Sequence, residues 1–254
     1  MISRLKDSLV DDKAVPMAWC AMRDTQLVGA IARQGYSAVL LDAQHGFHDE
    51  QSFLECIPHI IMAGKSPIVR IPVDRWDLCQ RALDFGALSV VAPMINTIDD
   101  ALAFAKATKF PATGDRSYGP RYAASLYGIS TDEYVTSANA HTFSLAQIET
   151  AEAYQNLDDI LSVDGIDGVL MGPSDFSISV TGNQTPDVYG NETVDMIRDI
   201  AERTRSKGKV AAAFTMNAEH ANLVYSMGYR LISITIDSSI VSDGAAKSFE
   251  GLDF

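Results

Sequence analysis

The sequence predicts a (β/α)8 barrel. Three observations carry that prediction: eight short apolar runs, helical patterns between them, and a glycine closing most of the helices. Short runs rich in Val and Ile suit strands buried on both faces of a parallel sheet. Strands alternating with helices over 254 residues fit one barrel, which puts the whole chain, 1–254, in a single domain. No low-complexity tract, Pro/Ser linker or single-sign charge block marks a boundary. A doubly wound open sheet is the alternative. It would carry a glycine-rich fingerprint after the first strand, where this chain has Ala21-Met-Arg-Asp24.

In chain order, strands are expected at Met17–Met22, Ala38–Leu41, Ile68–Ile71, Val90–Ala92, Phe143–Ile148, Val169–Met171, Val210–Phe214 and Leu231–Ile236. Trp76, Cys79 and Leu83 make an apolar helical stripe, as do Tyr154, Leu157 and Leu161. Gly35, Gly64, Gly86, Gly165, Gly208 and Gly228 stand where helices turn back toward the next strand. Thr97-Ile-Asp-Asp100 has the form of a helix-starting capping pattern. Phe110–His141 is too long for an ordinary connection and reads as a helical insert or a functional loop.

Charge and composition exclude several functions. The chain has 33 acids against 20 bases, a net charge of −13, which argues against sequence-independent nucleic-acid binding. No apolar run approaches the ~20 residues that span a bilayer, and Met1–Lys13 lacks the apolar stretch of a secretory signal. A soluble cytoplasmic protein without membrane partners is expected. Cys20, Cys56 and Cys79 contain no CxxC pair, so neither a disulfide framework nor a thiolate zinc site is indicated.

In a barrel the active site lies at the C-terminal ends of the strands, and here those ends are polar. Strand two ends in Asp42-Ala-Gln-His45-Gly46, strand three in Arg70, and strand five in Gln147-Ile-Glu149. Strand six ends in Gly172-Pro-Ser-Asp175, and strand eight in Asp237. Glu149 and Asp175 end consecutive strands, which lie ~4.8 Å apart, so one ion could take both carboxylates. Oxygen ligands suit Mg2+ or Mn2+, with softer ions such as Co2+ or Zn2+ as competitors. Any single acid there reads equally well as a helix N-cap. His45 is the natural acid/base because histidine is the residue type suited to moving protons near neutral pH. Arg70 suits a carboxylate or a developing enolate oxygen, or else an internal ion pair with a neighbouring strand-end acid. No lysine closes a strand, which disfavours a Schiff-base mechanism.

These blocks, with Pro67-Ile-Val-Arg70-Ile-Pro72, Ala92-Pro-Met94, Arg116-Ser-Tyr-Gly-Pro120, Gln147-Ile-Glu149-Thr150 and Gly168-Val-Leu-Met-Gly-Pro-Ser-Asp175, resemble the HpcH/HpaI family of metal-dependent class II pyruvate aldolases. The resemblance implies a barrel of the phosphoenolpyruvate/pyruvate-domain type. It further implies a last helix exchanged between neighbours in a homo-oligomer, a trimer or a hexamer. It implies Glu149 and Asp175 as metal ligands, Arg70 as the oxo-acid and enolate group, and His45 with Asp42 as acid/base. Gln147 would line the metal and substrate site, and Asp84 would support the histidine of an adjacent subunit; apart from the resemblance, Phe214 is a candidate to shape the aldehyde pocket. Gly172, Pro173 and Ser174 would offer backbone amides to the substrate carboxylate. Gln44 departs from the glutamate common at this position.

The expected reaction joins or splits a 2-oxo acid, pyruvate or hydroxypyruvate, and an aldehyde through a metal-stabilised enolate. Its rivals are a related acyl-CoA lyase, an oxaloacetate decarboxylase, and a non-catalytic barrel that only binds oxo acids.

Overall fold

The computed structural model describes residues 4–10 and 12–252. Eight strands form a closed barrel in sequence order: β1 (Val15–Cys20), β2 (Ala38–Asp42), β3 (Ser66–Arg70), β4 (Ser89–Ala92), β5 (Phe143–Ile148), β6 (Gly168–Met171), β7 (Val210–Ala213) and β8 (Leu231–Ile236). Every neighbouring pair is parallel, and β8 closes on β1.

The side chains divide by twos along each strand. Met17, Trp19, Leu40, Ile68, Val91, Leu145 and Leu170 fill the barrel interior. Their neighbours Ala18, Val39, Leu41, Val69, Val90, Ala146 and Val169 pack outward with helix residues such as Phe53, Ile57 and Phe104. With apolar residues on both faces, the strands read as continuous apolar runs rather than alternating ones. The expected strands are all present, with ends displaced by up to two residues. β3 begins at Ser66, two residues before the first isoleucine, because Ser66 and Pro67 pair with Ala38 and Val39.

The helices start and stop as their local chemistry requires. Thr97 caps the helix Ile98–Thr108 in a full capping box with Asp100, and Asp49 does the same with Ser52 for Glu50–Met62. Trp76–Asp84 is one helix, whereas the Tyr154–Leu161 stripe is divided at Asn156 into Ala151–Gln155 and Leu157–Ser162. Gly86 closes its helix at φ +106°, a backbone that L side chains rarely adopt, whereas Gly35 is not in the left-handed region.

The long 110–141 stretch is a helical insert. Helices Arg121–Tyr127 and Thr131–His141 bury Ala123, Ala124, Tyr134 and Ala138 against Phe110. Inside it, Arg116 pairs with Asp84 at 2.8 Å, its guanidinium 4.5 Å from the centre of the Phe110 ring. The last helix, Asp237–Lys247, buries only Asp237. Among the described residues, no helix is long and apolar enough to cross a membrane.

Candidate active site

At the C-terminal end of the barrel the strand register sets side chains from three strands together. Asp42 pairs with Arg70 across β2 and β3. Arg70 Nε donates to Asp42 Oδ1 at 2.9 Å, and Nη2 donates to Oδ2 at 2.6 Å. This two-pronged geometry is the strong form of an arginine–carboxylate pair. Trp19, on β1, donates its indole N–H to Asp42 Oδ2 at 3.2 Å and lies 4.7 Å beneath the Arg70 guanidinium carbon. Burial would raise the Asp42 carboxyl. The Arg70 hydrogen bonds and charge, with the Gln44 and His45 amides, outweigh burial and hold it below the ordinary range. The internal ion pair is therefore real, and it leaves Arg70 Nη1 outside that pairing.

His45 sits in the turn after β2. The amides of Gln44 and His45 donate to Asp42 Oδ1 at 3.0 and 3.3 Å, so one carboxylate orders both Arg70 and the histidine turn. Gly46 allows the turn to lie flat. A Cβ there would stand 2.4 Å from the Asp42 carbonyl oxygen and 2.8 Å from Ala21 Cα, both backbone atoms that cannot yield.

Across the barrel, Glu149 follows β5 and is buried. Its Oε1 accepts the Met94 amide at 2.8 Å, and its Oε2 accepts from Gln147 Nε2. Met94 adopts φ +56°, a conformation unusual for a residue with a side chain, and that bend belongs to the loop that feeds its amide to Glu149. Burial raises the Glu149 carboxyl, and the Asp175 charge raises it further. Gly172 packs against this pair, since a Cβ would lie 3.0 Å from both Gln147 Nε2 and Glu149 Oε2. Asp175 does not end β6. The strand stops at Met171, and Pro173 opens the helix Pro173–Thr181, whose first turn carries Asp175.

The residues fit a hard divalent ion. Two carboxylates close enough to repel, one of them buried, sit beside Gln147 Oε1, a buried acceptor with no partner. A cation relieves that repulsion and leaves oxygen ligands to come from substrate or solvent, as Mg2+ and Mn2+ tolerate. Among the described residues there is no cluster of three or more His, Cys, Asp or Glu side chains, the set that a closed structural zinc site needs.

A cavity of about 250 Å3 joins these groups, lined by Asp42, His45, Arg70, Gln147, Gly172, Pro173, Ser174, Asp175 and Phe214. Glu149 lies behind Gly172, and Asp84 is absent from the lining, being held by Arg116 in the chain's own fold. Of the three amides that the resemblance implied, Pro173 has none, and Gly172 N donates to the Ile148 carbonyl at 3.2 Å. Ser174 alone of the three offers an uncommitted N–H, in the first helical turn.

Sequence reasoning missed Trp19, Ala21 and Ile236, which also line the cavity. Trp19 meets Phe214 edge-on at 4.9 Å and makes an apolar wall. In the sequence it looks like any core residue of an apolar run. A larger cavity, about 390 Å3, opens at the other end of the barrel, but its arginines 205 and 230 are already paired with Asp12 at 2.8 and 2.9 Å. Its Lys6 and Lys209 donate to backbone carbonyls, and its Asp167 pairs with Lys109.

Comparison with known proteins gives the family. The family model for HpcH/HpaI aldolase/citrate lyase matches residues 16–243. The hydroxypyruvate/pyruvate aldolase of Rhizorhabdus wittichii is 34% identical, over 90% of this chain and 90% of its own. The 2-keto-3-deoxy-L-rhamnonate aldolase of Shigella sonnei is 29% identical, over 89% of this chain and 84% of its own. A solved HpcH/HpaI aldolase/citrate lyase family protein from Burkholderia cenocepacia superposes with a TM-score of 0.87, at 25% identity and 97% coverage of both chains. The matched span runs from β1 into the last helix and includes every residue of the cavity, so the chain belongs to the HpcH/HpaI aldolase/citrate lyase family and is a lyase of the aldolase type.

Proposed function

We propose that this chain, as one barrel domain over residues 1–254, is a divalent-metal-dependent aldolase. It reversibly cleaves a 4-hydroxy-2-oxo acid into pyruvate or hydroxypyruvate and an aldehyde. The observation that carries the proposal is the buried Glu149 carboxylate, behind Gly172 and within reach of the Asp175 charge, next to an unpartnered Gln147 amide oxygen in the cavity that Arg70, His45 and Asp175 line. The name of the Rhizorhabdus wittichii relative supports the choice of donor.

Glu149 and Asp175 would hold the ion, Mg2+ or Mn2+ before Co2+ or Zn2+. When bound, it supplies Lewis-acid polarisation of the substrate's 2-oxo group. The Ser174 N–H, in the first turn of its helix, suits the substrate carboxylate. Asp42 fixes the Arg70 guanidinium by Nε and Nη2, so Nη1 is preorganised for the oxygen on which enolate charge develops. In cleavage His45 takes the 4-hydroxyl proton, and in synthesis it returns one to the aldehyde oxygen. Trp19 and Phe214 keep one wall apolar and exclude water from the carbanion.

We further propose a homo-oligomer, trimer or hexamer, in which a neighbour covers the last helix and Asp84 meets the neighbour's histidine. The exposed Val241, Phe249 and Leu252 support such a contact.

The test is to strip the protein of metal and restore Mg2+, Mn2+ or Co2+ while following release of pyruvate or hydroxypyruvate. Activity should vanish and return with the ion. Undiminished cleavage without metal would refute the proposal.

A further inference from the structure

Asp237, at the end of β8, takes no part in the reaction just described, yet its carboxylate is fully buried. Among the described residues it makes no ion pair. Its partners are backbone amides: Oδ1 accepts Ala21 N at 3.0 Å and Ser238 N at 2.8 Å, and Oδ2 accepts Met22 N at 2.9 Å. A buried carboxylate is tolerable only when hydrogen bonds replace its lost water, and these three do so.

The position of the clasp explains why a carboxylate is there. The β1–β8 ladder slips between Met17 and Trp19, and its last pair is Trp19 with Ile236. Past Cys20, where β1 ends, the amides of Ala21 and Met22 donate to the Asp237 side chain. The two oxygens of Asp237 serve there as acceptors and close the seam of the barrel at the mouth of the cavity.

Ala21 passes this order on. Its carbonyl accepts the Phe47 amide at 2.8 Å. Gly46 lies so near that any Cβ would come within 2.8 Å of Ala21 Cα and 2.9 Å of its oxygen. The turn bearing His45 thus rests on two supports, the Asp42 carboxylate on one side and the Ala21 backbone on the other. Ala21 and His45 both line the cavity.

We propose that Asp237 is a positioning residue for His45, acting through the Ala21–Met22 backbone on which the Gly46–Phe47 turn is seated. The proposal rests on the reading of His45 as the group that moves the 4-hydroxyl proton. Asparagine cannot replace the aspartate, because its NH2 would meet an amide N–H donor where an acceptor is needed.

The test compares wild type with Asp237→Asn and Asp237→Glu. In the asparagine variant kcat should fall by about tenfold to a hundredfold, the scale of a misplaced reacting group. KM for the oxo acid should stay within about twofold, since the hydrogen bonds of the Ala21–Met22 support go to Asp237, Phe47 and Asp24 and not to Arg70, Gln147 or Ser174. In NMR spectra of the imidazoles, the His45 signals should move and those of His220, buried in the helix Ala218–Ser226, should not. The glutamate variant keeps both acceptor oxygens and should restore part of kcat and of the His45 spectrum. It also carries the test if the asparagine variant fails to fold, with kcat below wild type at unchanged KM.

Wild-type kcat and His45 signals in the variant examined would overturn the proposal. So would a parallel disturbance of His220, which would mark a general loss of structure. If wild type itself shows no metal-dependent turnover, the aldolase reading fails, and the NMR comparison still decides whether Asp237 positions His45.

Discussion

Replacing Asp42 with asparagine separates charge from shape at the centre of the site. The side chain keeps its size and one acceptor, so Oδ1 can still take Arg70 Nε and the Gln44 and His45 amides. The other oxygen becomes an NH2 that faces two donors, Arg70 Nη2 and the Trp19 indole. The pair is desolvated, with side-chain exposures of 8% for Arg70 and 2% for Asp42, so the guanidinium is left charged and uncompensated. Breaking a buried pair in this way costs about 3–5 kcal/mol, and the retained acceptor puts Asp42→Asn near the lower end, ~3 kcal/mol.

For a domain of this size that corresponds to a Tm lowered by roughly 6–12 °C at pH 7. The pH dependence fixes the sign. The native Asp42 carboxyl lies below its ordinary value, so its contribution is complete above ~3.9 and is lost as pH falls toward the native value. The variant should therefore lose stability at neutral pH and approach wild type in acid. Calorimetric melting from pH 7 down to pH 3 reads both effects. A Tm within about 2 °C of wild type at pH 7 would refute the view that this ion pair organises the site.

Three further outcomes follow from the same geometry. Glu149→Gln should weaken Mn2+ binding by more than the ~100-fold typical of an outer-shell loss, as read by titration calorimetry. Gly172→Ala sets a methyl group 3.0 Å from both Gln147 Nε2 and Glu149 Oε2, and steady-state kinetics should show kcat/KM about tenfold lower with the fold intact. His141 is buried beside Arg116 and Lys109, and burial first, then those charges, lower its pKa to about 4. The unfolded ring takes a proton near 6.5, so stability should decline as pH falls from 6.5 toward 4; His141→Gln should flatten part of that decline in urea titrations.

The barrel was legible because parallel strands buried on both faces leave short apolar runs that local pattern detects. Their ends were less so. Ser66 and Ser89 begin β3 and β4 as fully buried polar residues, which no apolar pattern announces. The polar strand ends pointed to Asp42, His45, Arg70, Gln147 and Glu149, and the fold gathers them around one cavity. Trp19 could not be singled out, because its meaning comes from contacts with β2, β3 and Phe214 that are remote in sequence. Arg116 was visible in a motif, but its pairing with Asp84, 32 residues earlier, exists only in three dimensions. Asp175 was seen and set on the wrong element, since Pro173 turns the chain into a helix before the aspartate is reached.

The pairing of Arg70 with Asp42 has a consequence for the order in which the proposed ligands would bind. Around the cavity the carboxylates of Asp42, Glu149 and Asp175 outnumber the single guanidinium of Arg70, so an anionic oxo acid arriving before the ion would meet net repulsion. A dication arriving first would cancel that excess. Linkage then makes the two ligands reciprocal: whatever factor the ion adds to oxo-acid affinity, the oxo acid returns to the ion. Pyruvate titrated into metal-free protein should release no measurable heat, and the same titration after Mn2+ should saturate. On the proposed reading, the acid partner of Arg70 would make the protein unresponsive to free oxo acids until the ion is in place.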